Sequence, residues 1–260
     1  MDVLQEIVQT KKAEVAALKA ARPLESLLKE AESMKIEKRP FRALFATSPV
    51  IIAEIKPRSP SAGELITGSP LAIADLYAKS DANVISVLTD SAYFGGSNDL
   101  LKQVRARVPQ TILRKDFIID EYQVCETFLL PADAYLLIAS ILTGDVLAKL
   151  LRLGTSLGLE ALVEVHDEQD IVKALGAGAK VIGINNRDLE TFTTDISVTE
   201  KLMAKIPKGI FVISESGIAT PDDVRRVRNC GIRGILVGTS VLQSGDPIKK
   251  ISELKKAMYV

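Results

Sequence analysis

Residues 51–63 read IIAEIKPRSPSAG. An apolar run leads into a carboxylate and an ammonium two positions apart, and a Ser-Pro-Ser turn follows at once. Side chains alternate faces along a strand, so Glu54 and Lys56 point the same way. In a closed barrel both would face inward, near the strand's C-terminal mouth. An unpaired charge there is costly, whereas an opposed pair stabilises itself and works as an acid/base and electrostatic unit. Taken alone, the same triplet favours the plainer reading, a structural ion pair at a strand end. The rest of the chain decides between them.

Outward from this stretch, short apolar runs recur at 50–55, 84–88, 111–113, 134–138, 160–165, 181–184, 210–213 and 234–237. Most are apolar on both faces, as expected of parallel strands buried between a core and covering helices. Helical patterns fill the intervals, at 70–79, 100–107, 121–128, 143–157, 168–175, 199–205, 221–229 and 248–257. Thr220-Pro221-Asp222-Asp223 supplies an N-cap, a first-turn proline and two acids at a positive helix end. Eight β–α units in strict alternation predict an α/β fold, a (β/α)8 TIM barrel. An open doubly wound sheet is the runner-up and lacks the early G-x-G-x-x-G that its first turn would carry. Residues 1–45 read as an N-terminal helical extension of two helices split near Arg22-Pro23, and 46–260 as the barrel, all in one domain. That extension caps the floor, reaches over the mouth or builds a subunit interface; the sequence leaves the three open.

Composition narrows the partners. The 260 residues are 47% hydrophobic and 25% charged, and 33 basic side chains balance 33 acidic ones. A chain without basic excess is not expected to take nucleic acid or an anionic membrane as its main partner, so any anion site must be local. No apolar run approaches the roughly 20 residues that span a bilayer. The N-terminus is a charged amphipathic helix without the apolar centre of a signal peptide, which predicts a cytoplasmic protein. Cys125 and Cys230 lack metal-type spacing and read as small buried apolar residues in a reducing compartment.

In such barrels function sits at the C-terminal ends of the strands. Those positions carry Glu54, Lys56, Arg58, Ser59 and Ser61 at the first strand and Phe94 in the loop after the second. Arg114, Lys115, Asp116 and Phe117 end the third; Glu160, Glu164 and His166 belong to the fifth; Asn185, Asn186 and Arg187 end the sixth. Ser214, Glu215, Ser216 and Gly217 end the seventh, and Gly238, Thr239 and Ser240 the eighth. Loops after strands seven and eight commonly cradle a phosphate in this fold, because glycine lets the backbone approach and N–H groups point at the anion. Ser216-Gly217 and Gly238-Thr239-Ser240 would supply those donors, with Ser59 joining from the first loop.

The charged set reads as proton-transfer machinery for a bound anion. A lysine near other cations, or partly desolvated, has its pKa lowered and becomes a useful general acid. Glu164 near Lys115 would accept a proton or orient that ammonium, and Asn185 would hold a hydroxyl or a water. The competing reading is a salt-bridge network that merely ties the rim together. His166, the only histidine, excludes a multi-histidine metal site and reads as a helix cap before it reads as a catalyst. Asp167, Glu168 and Asp170 look like first-turn helix acids. Arg225, Arg226, Arg228, Lys249 and Lys250 read as solvated helix faces. Tyr93-Phe94 suits core packing or an aromatic platform equally.

Seven stretches together, IIAEIKPRSPSAG, VLTDSAYFGGS, ILRKDFIID, GLEALVEVHDE, VIGINNRDLETF, VISESGI and ILVGTSVL, resemble the indole-3-glycerol phosphate synthases of tryptophan biosynthesis in order and spacing. The resemblance runs from Val50 to the end of the chain, and the leading helices look like that family's N-terminal segment. It implies ring closure, decarboxylation and dehydration of 1-(2-carboxyphenylamino)-1-deoxy-D-ribulose 5-phosphate, with no cofactor and no metal. Carried over by motif, Lys115 would be the general acid and Glu164 the base or its partner carboxylate. Lys56 would pair with the substrate carboxylate and serve as acid in dehydration. Glu54 would position the lysines, Asn185 would hold the reacting hydroxyl, and Glu215 and Ser216 would belong to the active-site SESG turn. Ser59, Gly217, Gly238 and Thr239 would bind phosphate. Phe94, Phe117 and Leu189 would wall the ring pocket, and Arg187 would lie on a substrate loop. The family also implies a monomer or weak homodimer, with contact to other enzymes of the pathway left open.

The sequence departs from the family pattern at Pro57 and Arg58, at Ala62, where a lysine is common, and at Thr239, where serine is usual. Proline at 57 removes a backbone donor and stiffens the turn. Two rival functions remain. Phosphoribosylanthranilate isomerase chemistry would favour a Cys/Asp pair, which this lysine-rich mouth lacks. A non-catalytic phosphometabolite-binding barrel would have no need of an intact set of lysines and glutamates.

Overall fold

Along the first strand, β1 (Val50–Ile55), alternate side chains serve two cores. Val50 and Ile52 join an inner cluster with Val84, Leu113, Leu136, Leu162 and Ile213. Ile51, Ala53 and Ile55 join the outer layer between strands and helices. The same division repeats in β2 (Val84–Leu88), β3 (Thr111–Lys115), β4 (Ala134–Ile138), β5 (Glu160–Val165), β6 (Val181–Asn185), β7 (Phe211–Glu215) and β8 (Gly234–Val237). In this computed structural model, which describes residues 3–60, 63–66, 68–188, 191 and 193–259, the eight strands close into one barrel. Every pairing is parallel, and β1 closes the ring against β8 with Val50 opposite Gly234 and Ala53 opposite Val237. Strands buried on both faces need both clusters, and each fully buried Ile, Leu or Val contributes about 1.5–3 kcal/mol.

Three helices precede β1: α1 (Val3–Ala21), α2 (Leu24–Ser33) and α3 (Arg42–Thr47). The covering helices follow as α4 (Pro70–Ala78), α5 (Asn98–Arg105), α6 (Glu121–Leu129), α7 (Gly144–Ser156), α8 (Glu168–Ala177), α9 (Ser197–Met203) and α10 (Pro221–Arg228). A one-turn α11 (Thr239–Leu242) and the closing α12 (Pro247–Ala257) come after β8. Polar caps set many of the starts. Ser97, Asp120, Thr143, Asp167 and Asp246 each accept a backbone N–H of the first turn, and Thr220 with Asp223 forms a full capping box.

The leading segment does two of the three things its sequence allowed. It plugs the floor, where Phe41 and Phe45 pack edge to face and Phe45 stacks on Phe211. Glu160 holds this plug by accepting the N–H groups of Phe41 and Arg42 at 3.0 and 2.7 Å. Glu160 therefore stands at the start of β5, at the end opposite the mouth, and drops out of the site set. On the wall, Lys38 donates to the carbonyls of Phe128, Leu130 and Ala132. At the other end, α1 lies over the mouth, with Val3, Leu4 and Ile7 lining the cavity there.

Three strands differ in extent from their apolar runs. β3 continues through Arg114 and Lys115, β6 reaches Asn185, and β7 reaches Glu215. In each case polar side chains continue the pleat where the apolar signal stops, because the barrel holds partners for them. Cys230 is half-buried, not part of the core, and both cysteines are free.

Candidate active site at the barrel mouth

The C-terminal mouth encloses a cavity of about 700 Å³. Glu54, Lys56, Lys115, Glu164, Asn185 and Glu215 all line it, so six charged or amide groups from five strands meet in one place. Lys115 is the centre. Its ammonium lies 3.1 Å from Glu215, 3.4 Å from Glu164 and 3.8 Å from Glu54. Lys56 pairs with Glu54 at 2.6 Å, and Asn185 donates to Glu164 at 3.0 Å.

Electrostatics follow from that geometry. Burial on its own would lower the Lys115 ammonium, but Glu215, Glu164 and Glu54 together outweigh it and push its pKa well above the ordinary lysine value. The expectation of a lysine lowered by desolvation and neighbouring cations is thereby reversed, since its near neighbours are acids. Burial would raise Glu54, yet Lys56 and Lys115 hold it below the usual carboxylate range. Glu164 is likewise held low against burial by Lys115, His166 and Asn185. Glu215 is the exception. Burial raises it, and Glu164 and Glu54 add to the rise against Lys115, so its carboxyl is pushed up to about 7. Glu54 has Lys56 and Lys115 beside it and Glu164 has Lys115 and His166, whereas Glu215 has Lys115 alone, so of the three it holds a proton most firmly.

Glycine makes room for these acids. A Cβ on Gly183 would lie 1.9 Å from Glu215 Oε1, and one on Gly238 would lie 2.9 Å from Glu54 Oε1. An isolated glycine inside the strand VIGIN is a sequence signal for such close approach, and it points to a residue the motif reading passed over. Gly238 thus has a role beside the one expected of it.

One side of the cavity is lined by Ser59, Ser216, Gly217, Gly238, Thr239 and Ser240, the residues expected to take an anion. Ser240 turns its hydroxyl to the Ile218 carbonyl at 2.9 Å, which leaves Thr239 as the side chain facing the space. Ser216 has φ +64°, the only positive φ of a non-glycine among the described residues. Such a conformation costs on the order of 1 kcal/mol and persists where surroundings over-determine it. Asn186 is one of those surroundings, donating to the carbonyls of Glu215 and Ser216 and to the Ser214 hydroxyl. Asn186 is thus a clamp behind the turn.

Phe94 and Phe117 both line the cavity and touch each other, tilted by 38° with centroids 5.9 Å apart. Tyr93 points elsewhere, to Thr10 and Glu6 of α1. Arg187 lines the cavity and donates its backbone N–H to Asn185. Leu189, expected in the ring pocket, lies outside the described residues, as do Ser61 and Ala62. Arg114 and Ser214 point away from the mouth. Arg114 is buried with Glu126, Thr127 and Asp116, and Ser214 bonds Thr199. Arg58 donates to the carbonyls of Ser91 and Ala92, tying the first loop to the second. His166 does not cap α8, a task that Asp167 performs; its ring instead lies 3.2 Å from Glu164.

A closed parallel barrel with lysines, glutamates and an amide converging above its core, beside a glycine-lined recess, defines a (β/α)8-barrel enzyme. A sequence model of the indole-3-glycerol phosphate synthase family matches residues 4–254, and the chain belongs to that family. It is 43% identical to the indole-3-glycerol phosphate synthase of Thermoanaerobacter sp. (strain X514) over 256 residues, 98% of this chain and 97% of that protein. Identity is also 43% to the Carboxydothermus hydrogenoformans synthase, over 96% of this chain and 98% of the relative. The Clostridium acetobutylicum synthase is 40% identical, covering 98% of both. Among solved structures, 3-hexulose-6-phosphate synthase from Salmonella typhimurium superposes with a TM-score of 0.65 over 80% of this chain and 98% of its own. At 14% identity that likeness speaks for the fold alone. The activity is that of indole-3-glycerol-phosphate synthase, a carboxy-lyase of tryptophan biosynthesis. Among the described residues no helix is long and apolar enough to cross a membrane.

Proposed function

We propose that this mouth performs ring closure, decarboxylation and dehydration of 1-(2-carboxyphenylamino)-1-deoxy-D-ribulose 5-phosphate, with Lys115 as general acid and Glu164 as base. The observation that carries the reading is the Lys115 ammonium held among Glu54, Glu164 and Glu215 inside the cavity. The substrate phosphate docks at Ser59, Gly217, Gly238 and Thr239, its ring packs against the wall made by Phe94 and Phe117, and its carboxylate pairs with Lys56. Arg187 completes the rim over the bound molecule.

In the first step the ring carbon bonds to the ketose carbonyl carbon, and Lys115 gives a proton to the carbonyl oxygen as it becomes a hydroxyl. Held so firmly by carboxylates, that proton is released only to an oxygen developing negative charge within hydrogen-bond reach. That difference stabilises the transition state more than the ground state. The carboxylate then departs as carbon dioxide and leaves its electron pair in the ring system. Asn185 holds the new hydroxyl, and Lys56 protonates it as it leaves as water. Glu164 takes the proton whose removal restores aromaticity. Glu54 keeps both lysines in place, and Glu215 and Ser216 shape the turn opposite them.

A steady-state assay following indole fluorescence tests the reading. Lys115→Ala should lower kcat by about 10²-fold or more while substrate binding largely survives. Unchanged turnover in a folded variant dismisses the assignment.

A further inference from the structure

We propose that His166 is a positioning residue for Glu164, gripping the carboxylate from the side opposite Lys115 and anchoring it to the covering helix α8. The proposal rests on the reading of Glu164 as base. Glu164 ends inside the catalytic cavity, with Oε2 toward Lys115 and Oε1 toward Asn185. His166 lies just beyond the same strand and turns back, so that Nε2 stands 3.2 Å from that same Oε1. The other ring nitrogen, Nδ1, is 3.6 Å from Asp170 Oδ2 on α8. Asp170 is itself buried and fixed, accepting the His166 backbone N–H at 3.1 Å and pairing with Lys173 at 2.9 Å. A carboxylate, an imidazole and a second carboxylate therefore run in line from the cavity to the helix.

His166 does not line the catalytic cavity. It lines a second one, of about 890 Å³, between α1 and the rims of β5 and β6, together with Asp167, Asp170, Asn185, Arg187 and Asp188. The imidazole thus stands between the two spaces, with Glu164 on one side and a polar wall that includes Asp167, Asp170 and Asp188 on the other. Acids on both sides favour the imidazolium: burial would lower its pKa, but Asp170 and Glu164 push it up to about 10. As a cation, His166 keeps Glu164 ionised; neither ring nitrogen has a hydrogen-bond partner among the described residues, so it steadies Oε1 by charge, from 3.2 Å, with Asp170 at 3.6 Å behind it. An orientation error of about 1 Å at a reacting group can cost about 100-fold in rate, so a grip of this kind matters to kcat more than to substrate binding.

The test is a pH–rate profile of the full chain and of His166→Ala, His166→Gln and Asp170→Asn, with folding followed by circular dichroism and melting. His166→Ala should lose about 10-fold or more in kcat with little change in KM. Removing the cation also moves the acidic limb of kcat toward higher pH, by about one unit. His166→Gln, which fills the space without the charge, should keep both the loss in kcat and the displaced limb. Asp170→Asn should displace the limb in the same direction by less, and it carries the test if the His166 variants do not fold. Profiles that superimpose on the parent overturn the proposal. Glu164→Gln separates the two levels. If it is inactive while the His166 and Asp170 variants behave as the parent, His166 alone has been misassigned. If it stays active, the base assignment fails and this proposal fails with it.

Discussion

Lys11 and Asp90 meet at 3.0 Å, across the gap between the N-terminal helix and the loop that carries Phe94. The same ammonium reaches Asp116 at 3.1 Å, and all three side chains are buried. Asp90 accepts the backbone N–H groups of Tyr93 and Phe94, and Asp116 accepts that of Phe117. One lysine on α1 therefore holds the two acids that fix the two rings. Lys11→Met should cost about 3 kcal/mol of stability, because it leaves Asp90 buried without its cation and Asp116 with Arg114 alone. It should also raise KM several-fold as the ring pocket loosens. Urea unfolding and steady-state kinetics check both, and an unchanged KM would show that the rings hold themselves.

Glu215 gives a pH signature. In the fold its carboxyl keeps a proton up to about 7, while the ordinary value is 4.5. Between those values the folded state binds more protons than the unfolded one, so this group makes stability fall as pH rises, with the full penalty above about 7. Glu215→Gln removes a penalty on the order of 3 kcal/mol at pH 8 and very little near pH 4.5. Melting temperatures of parent and variant across that range should diverge at the alkaline end, with the variant the more stable and the less active. Convergence at high pH would contradict the raised value.

Gly183→Ala tests the packing of the same acid. The added methyl would overlap Glu215 Oε1, which has to swing away from Lys115. We expect a folded protein with kcat reduced by about 10-fold or more, as for a displaced group in the transition state, and KM nearly unchanged. Parent-like kinetics would mean that the carboxylate position is unimportant.

Thr239→Ala addresses the anion recess. If its hydroxyl contacts the substrate phosphate, KM should rise by about 5-fold or more with kcat retained. A loss confined to kcat would assign the residue to chemistry instead.

Much of this architecture is readable in the chain, for a physical reason. Doubly buried parallel strands produce short apolar runs, and the helix caps at Ser97, Thr143 and Thr220 are local chemistry. Strand ends are harder. Arg114 and Lys115 are neighbours of like charge, and only the pleat decides that Lys115 enters the barrel while Arg114 is buried outside it. Ser214 and Glu215 divide in the same way. Glu160 and Glu164 share one strand, yet one caps the floor and the other lines the mouth. Long-range partners leave no periodicity at all, and nothing near Lys11 in sequence announces Asp90 or Asp116. From its neighbours in sequence His166 reads as a helix cap, whereas its ring meets Glu164, two residues back at the end of β5. Gly183 alone offered a local clue.

The two glycines beside Glu215 and Glu54 have a further meaning for how such a protein can change. In those places the wall of the ring is completed by Glu215 and Glu54 rather than by methyl groups, so the acids proposed for the chemistry are also its masonry. Trading either acid for a smaller residue opens a hole, and filling the hole from the glycine side evicts the acid. A lineage that departs toward another reaction must therefore alter both members of a pair together, and single steps away from the present chemistry meet a structural toll first.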